Sequence, residues 1–139
     1  MAGTTRVGIS LDGTLLKAFD SLCRRRGYAN RSEAIRDLIR QELVRTEWEA
    51  GNKPTIGALC LVYEHDRLEV DHHLTHMQHE NLTMVVSTLH VHLDEHNCLE
   101  VLILKGEGRA VRAFSDRLIS TKGVKHGELV MTTTGVGIR

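Results

Sequence analysis

The chain has 139 residues, with 18 basic and 18 acidic side chains, so its formal charge is zero, and 41% of it is hydrophobic. That length allows one domain or two small ones. No signal-peptide pattern and no long apolar run points to secretion or membrane insertion, and Cys23, Cys60 and Cys98 are too scattered for a disulfide framework, so a cytoplasmic protein with reduced thiols is expected.

The neutral total hides an uneven distribution. All nine histidines lie beyond residue 50, whereas Arg24, Arg25, Arg26, Arg31, Arg36, Arg40 and Arg45 lie before it. Asp20, Glu33, Asp37 and Glu42 interleave with these arginines, so the early excess of positive charge is modest. It permits contact with nucleic acid without proving it.

Residues 5–11 alternate, with Val7, Ile9 and Leu11 on one face and Arg6, Gly8 and Ser10 on the other, the pattern of a half-buried strand. Asp12 can cap a helix carrying Leu15, Leu16, Phe19, Leu22 and Cys23, which Gly27 would end. Asn30-Arg31-Ser32-Glu33 offers a capping start for a second helix, with Ala34, Ile35, Leu38, Ile39 and Leu43 as its apolar stripe. A strand and two helices in fifty residues cannot bury enough surface alone, and the strand's edges stay open. Two copies solve both problems by pairing their strands and interlocking their helices. In that ribbon-helix-helix arrangement the two-stranded ribbon enters the major groove of double-stranded DNA. Arg6, Gly8 and Ser10 would face the bases, and Asn30, Arg31 and Ser32 would hold phosphate at the second helix's N-terminus. On these residues alone, a helical dimerisation domain with a solvated arginine face stays open beside the DNA reading.

Glu47 to Pro54 reads as a linker or helix exit, so the expected domains are residues 1–50 and 51–139. Beyond it, strand 56–64, helix 68–80, strands 83–93 and 97–105, helix 107–118 and strand 121–132 follow in turn. The order βαββαβ is that of a ferredoxin-like domain, giving an α+β protein. On helix 68–80, Val70, Leu74 and Met77 form the stripe that should pack on the sheet. At about 100° per residue, His72, His76 and His79 lie on the far side. His79 is therefore better placed for a neighbouring subunit than for its own sheet, while His72, His73 and His76 suit a solvated polar face.

On strand 83–93 the period of two puts His90 and His92 on one face. A three-residue connection, Asp94 to His96, would set Cys98 opposite His92 and Glu100 opposite His90. A two-residue turn would send Cys98 to the other face. Imidazole and thiolate are donors that borderline transition metals prefer, and Glu100 is placed to orient a ring N–H. With His79 as the fourth ligand, three nitrogens and one sulfur in a plane suit Ni(II) or Cu(II), whereas Zn(II) prefers a tetrahedron. A catalytic zinc site is the rival from the enzymes, but no nucleophile motif accompanies it, and Glu80, Asp94 and Glu95 suit a solvated surface. A metal buffer with an N-terminal dimerising segment, and a sensor of a small organic effector, are the other readings.

Arg-Arg-Gly-Tyr at 25–28, Arg-Ser-Glu-Ala-Ile-Arg-Asp at 31–37, Tyr-Glu-His at 63–65, Thr-Leu-His-Val-His at 88–92 and Cys98-Leu99-Glu100 together closely resemble the NikR family of nickel-responsive ribbon-helix-helix regulators. The resemblance covers nearly the whole chain. It implies a homotetramer, a dimer of dimers, with ACT-type regulatory domains at its centre. It implies one Ni(II) per subunit, held square-planar by His90, His92 and Cys98 of one subunit and His79 of another. His65 matches an alternative, non-planar metal position, and Tyr63 and Glu100 match supporting residues. Glu33 and Asp37 match a cation site between the domains, assigned in the family to potassium. The output it implies is repression of nickel uptake genes on binding an operator. Related members carry Arg, Thr and Thr on the DNA-facing strand, where this chain has Arg6, Gly8 and Ser10, so Arg6 and phosphate contacts are expected to carry more of the affinity.

Overall fold

The capping residues act as their chemistry predicts in the computed structural model, which describes residues 3–139, the side chain of Leu68 excepted. The Asp12 carboxylate accepts from the backbone N–H of Thr14 at 2.9 Å and of Leu15 at 3.0 Å, starting α1 (Gly13–Arg26). Gly27 closes α1 at φ 74°, a left-handed conformation that costs glycine little. Asn30 Oδ1 accepts from the Glu33 N–H at 2.9 Å at the start of α2 (Arg31–Ala50). The chain divides into two compact units, the first ending at Ile39 and the second running from Arg40 to Arg139, so the division falls inside α2.

The strand expected over residues 5–11 is not formed. Residues 3–12 carry no regular element, and Val7 and Ile9 are 76% and 59% exposed. A strand needs a hydrogen-bonded neighbour, and among the described residues the single sheet uses four other segments. The expected linker also begins later than Glu47, because α2 continues to Ala50. Burial of Trp48 explains the extra turn: its ring joins the core of the second unit, and its Nε1–H donates to the Thr132 carbonyl at 2.9 Å.

The second unit continues with β1 (Pro54–Glu64), α3 (Leu68–His79), β2 (Val85–His92), β3 (Asn97–Glu107), α4 (Gly108–Ile119) and β4 (Val124–Thr132). The four strands form an antiparallel sheet in the order β2-β3-β1-β4, and this is the expected βαββαβ arrangement. The last strand starts three residues later than expected. Gly123, at φ 100°, turns the chain where an added Cβ would lie 2.1 Å from Val70 Cγ2.

One sheet face and the helices make the core. Leu59, Leu61 and Tyr63 of β1 and Cys98, Leu102 and Leu104 of β3 are buried in one cluster with Val70, Leu74 and Met77 of α3 and Val111, Phe114 and Leu118 of α4. The apolar stripe foreseen on α3 is thus the buried one. On the other sheet face Val62, Val101 and Ile103 are half-buried, and Leu89 and Val130 are more than half exposed.

Candidate metal centre

Strand register builds the site. In the β2–β3 pair His92 lies opposite Cys98 and His90 opposite Glu100, and on the far side of β3 Tyr63 lies opposite Cys98. Opposed residues share a face, so both imidazoles, the thiol, the phenol and the carboxylate emerge together on the helix-covered side. The turn sets this parity. Leu93 N–H donates to the Asn97 carbonyl at 2.9 Å, leaving Asp94, Glu95 and His96 as the connection. The Asp94 carboxylate accepts from the His96 N–H at 2.7 Å and the Asn97 N–H at 2.8 Å. Bonds from the Asn97 side chain, then from the His96 and Asn97 N–H groups, hold its carboxyl down at about 2.

Within this corner the Cys98 sulfur lies 3.4 Å from His92 Nδ1. The ring centres of His90 and His92 are 5.2 Å apart, and those of His65 and His92 are 5.4 Å apart. Donor atoms of His65, His92 and Cys98 all lie within 4.8 Å of one another. Among the described residues no other three such donors come as close. Two nitrogens and a sulfur suit a borderline divalent transition metal, so the residues present fit such an ion. His90 lies beside this trio, with Nδ1 3.5 Å from the Tyr63 hydroxyl. His79 ends α3 as an exposed side chain outside the trio.

A buried hydrogen-bond network stands behind the donors. Glu100, only 5% exposed, accepts from Gln78 Nε2 at 2.7 Å and from the Tyr63 hydroxyl at 3.1 Å. Tyr63 also lies 3.2 Å from Asp71. Burial first, then the negative Glu100 and Asp71, push the Tyr63 phenol up, so it keeps its proton and donates to a carboxylate. Its oxygen is left to accept a hydrogen bond, and a proton on His90 Nδ1, 3.5 Å away, would be donated to it, leaving Nε2 of that ring open. Glu100 therefore reaches His90 through Tyr63 rather than directly. Burial, followed by Asp71, Glu100, Asp66 and Asp94, also pushes the Cys98 thiol up. Thiolate is the metal-binding form, so a cation must displace that proton. The sequence reading does not single out Gln78, Asp71 or Asp66, and it takes Asp94 as a turn residue and solvated charge rather than as the cap of the turn. Gln78 was detectable, since its position on α3 turns it from the exposed stripe toward the sheet.

The first unit carries the other candidate residues. Arg6, Gly8 and Ser10 are exposed, as are Asn30, Arg31 and Ser32. Arg31 is engaged in a two-pronged pair with Asp20, at 2.8 and 2.9 Å. The Arg31 guanidinium holds the Asp20 carboxyl below its ordinary value. Phosphate at this helix start would compete with Asp20 for the guanidinium. Glu33 pairs with Arg36, and Asp37 accepts from the Tyr28 hydroxyl. Val7, Ile9, Leu11, Leu16, Phe19, Ile35 and Ile39 line a groove of about 740 Å³, apolar for most of its surface.

Comparison with known proteins places both units. Residues 56–132 match the NikR C-terminal nickel binding domain, and residues 5–46 match ribbon-helix-helix proteins of the copG family. A nickel-responsive regulator of Geotalea uraniireducens is 56% identical over 135 residues, covering 97% of each chain. One from Pyrococcus furiosus is 53% identical over 133 residues, covering 96% of each. An uncharacterized protein of Thermotoga maritima, 20% identical, superposes with a TM-score of 0.53 over 58% of this chain and 100% of its own, a likeness of fold alone.

Proposed function

The chain belongs to the nickel-responsive ribbon-helix-helix regulators, and from that premise we propose where nickel is held and what its binding does. Members of this family regulate transcription and are not enzymes. A DNA-binding ribbon-helix-helix head precedes a nickel-binding domain.

His90, His92 and Cys98 of one chain and His79 of a neighbour hold one Ni(II) per subunit, a set of three nitrogens and one sulfur that favours a planar ion. The observation that carries this reading is the register placing His92 against Cys98 and His90 against Glu100. Exposure of His79, on the helix side away from its own sheet, supports a second chain as the one that uses it. Tyr63 and Glu100 fix the ring of His90. Held by these residues, the ion supplies positive charge and a link between two chains.

The working unit is a homotetramer built as a dimer of dimers. The uncovered apolar sheet face supports association of the second units. Exposed Val7, Ile9 and Leu11 support pairing of two heads through a shared ribbon. Arg6, Gly8 and Ser10 then face the bases of a double-stranded operator, and Asn30, Arg31 and Ser32 meet phosphate. A ligand shifts a regulator only by its preference for one arrangement. Linking His79 to a neighbour's strands supplies such a preference, and repression of nickel uptake genes in the cytoplasm is the output. Glu33 and Asp37, one helical turn apart, are proposed to take a potassium ion that relieves their repulsion. Among the described residues, no helix is long and apolar enough to cross a membrane.

The test is the absorption spectrum of the nickel-loaded protein beside a gel shift with the upstream region of its own or a neighbouring transporter gene. A thiolate-to-nickel charge-transfer band that Cys98→Ala removes, with nickel-dependent retardation that Arg6→Ala abolishes, is expected. Nickel binding and retardation unchanged in Cys98→Ala would refute the site.

A further inference from the structure

The arginine assigned to DNA phosphate at the start of α2 is already occupied. Arg31 Nε and Nη2 donate to the two oxygens of Asp20 at 2.8 and 2.9 Å. That two-pronged geometry is the one in which a guanidinium also binds phosphate. The pair ties the middle of α1 to the first residue of α2, so the backbone of both partners is fixed by regular helix.

Asp20 is the carboxylate best placed for this role. The acidic side chains nearest to Arg31 on α2 are committed elsewhere, Glu33 to Arg36 and Asp37 to the Tyr28 hydroxyl. The Arg31 side chain is 57% exposed and that of Asp20 only 29%. A phosphate can therefore approach the guanidinium from solvent while the carboxylate stays behind it. Exposed pairs of this kind are weak, so Asp20 yields to phosphate, and its hold on Arg31 is subtracted from what the new contact contributes.

Resting on the reading that Arg31 meets phosphate, we propose that Asp20 is an internal counter-ion that stands in for phosphate and restrains the affinity of each head for DNA. Docking exchanges one carboxylate for one phosphate, and the guanidinium gains only the difference. The freed Asp20 is left charged beside a polyanion and takes up a cation. That uptake offsets the cation that Arg31 releases from DNA, so this arginine adds little to the salt-dependent attraction. A head restrained in this way holds a duplex weakly by itself, and retention rests on Arg6 and on two heads being presented together. Control by a metal needs such restraint, because a head that held any duplex firmly would leave the ligand no equilibrium to shift.

The experiment measures binding of the full-length protein, metal-free and nickel-loaded, to duplex from the upstream region of its own or a neighbouring transporter gene and to duplex of unrelated sequence, over a range of salt. The variants are Asp20→Asn, Asp20→Glu, Arg31→Ala, and Asp20→Asn combined with Arg31→Ala. Asp20→Asn should tighten binding to both duplexes about two- to fivefold for each Arg31 that meets DNA, and steepen the salt dependence by about 0.9 for each such contact. Asp20→Glu keeps the charge and should stay near the wild type. In the Arg31→Ala background the Asn substitution should give a clearly smaller gain and leave the salt slope alone, the non-additivity of two groups that act through one another. The nickel spectrum should be that of the wild type throughout. Weaker or unchanged DNA binding in Asp20→Asn would overturn the proposal, as would a gain of equal size with and without Arg31. Should Arg31→Ala alone leave affinity and salt slope unchanged, the phosphate reading fails and the proposal with it. Should that variant lower both while Asp20→Asn changes neither, the phosphate reading stands and only the restraint fails.

Discussion

Replacing Glu100 separates the support of the fold from the support of the metal. Its two oxygens accept from Gln78 at 2.7 Å and Tyr63 at 3.1 Å, and it is almost fully buried. Glu100→Ala removes both acceptors and leaves a cavity. Tyr63 retains Asp71 at 3.2 Å, so Gln78 bears the larger loss. An unsatisfied buried donor costs about 1–3 kcal/mol, so with the cavity the variant should lose about 2–4 kcal/mol of stability. Glu100→Gln keeps the volume and one acceptor. Its amide can face the Tyr63 oxygen while Tyr63 donates to Asp71, so the loss should be about 1 kcal/mol or less. Both variants leave Asp71 as the one remaining carboxylate that commits the Tyr63 proton, which loosens the orientation of His90. Nickel affinity should therefore fall about 10–100-fold in each. Urea midpoints at unchanged slope report the first quantity, and competition with a chelator of known affinity reports the second. A Glu100→Gln protein that binds nickel like the wild type would refute the route from Glu100 through Tyr63 to His90.

Three further outcomes are expected. The folded Cys98 thiol lies above its ordinary value because of burial and nearby carboxylates. That contribution to apo-protein stability is complete below the ordinary thiol range and lost as pH rises through the raised value. Nickel affinity should move the opposite way, increasing with pH as proton displacement becomes easier, in parallel titrations of metal and of urea midpoint. Asp94, held at about 2 by the turn it caps, contributes stability above its unfolded value that disappears as pH falls through the folded one, so Asp94→Ala should flatten the acid side of the stability profile and weaken nickel binding by loosening the turn. Ile9→Asp, on the exposed face of residues 5–11, should prevent two heads from sharing a ribbon, abolishing retardation of operator DNA while leaving the nickel spectrum intact.

Sequence pattern was most informative where one local rule governs the outcome. The period of two and the three-residue turn suffice to align His90, His92, Cys98 and Glu100, and the Val70, Leu74 and Met77 stripe suffices to turn His79 outward. Residues 5–11 show the limit of such rules. Their alternation is legible, yet the strand itself requires a neighbour that one chain does not supply. The sequence reads Arg31 as a phosphate contact; its pairing partner eleven positions away, Asp20, is visible only once α1 and α2 have folded. The approach of His65 to His92 and Cys98 likewise depends on the segment after β1 meeting the β2–β3 turn. Trp48 extended α2 beyond its expected end because burial outweighs the turn-forming composition that follows it.

Subunit mixing tests the shared nickel site most directly. His79→Ala keeps the strand-borne donors and lacks the helix-borne one, whereas Cys98→Ala keeps His79 and lacks the sulfur. Each variant alone should lose the nickel charge-transfer band. After random exchange of subunits in equal amounts, about a quarter of the sites should combine intact His90, His92 and Cys98 with an intact His79, and the band should return at that fraction. Full nickel affinity in His79→Ala alone, or no recovery after exchange, would contradict a site shared between two chains.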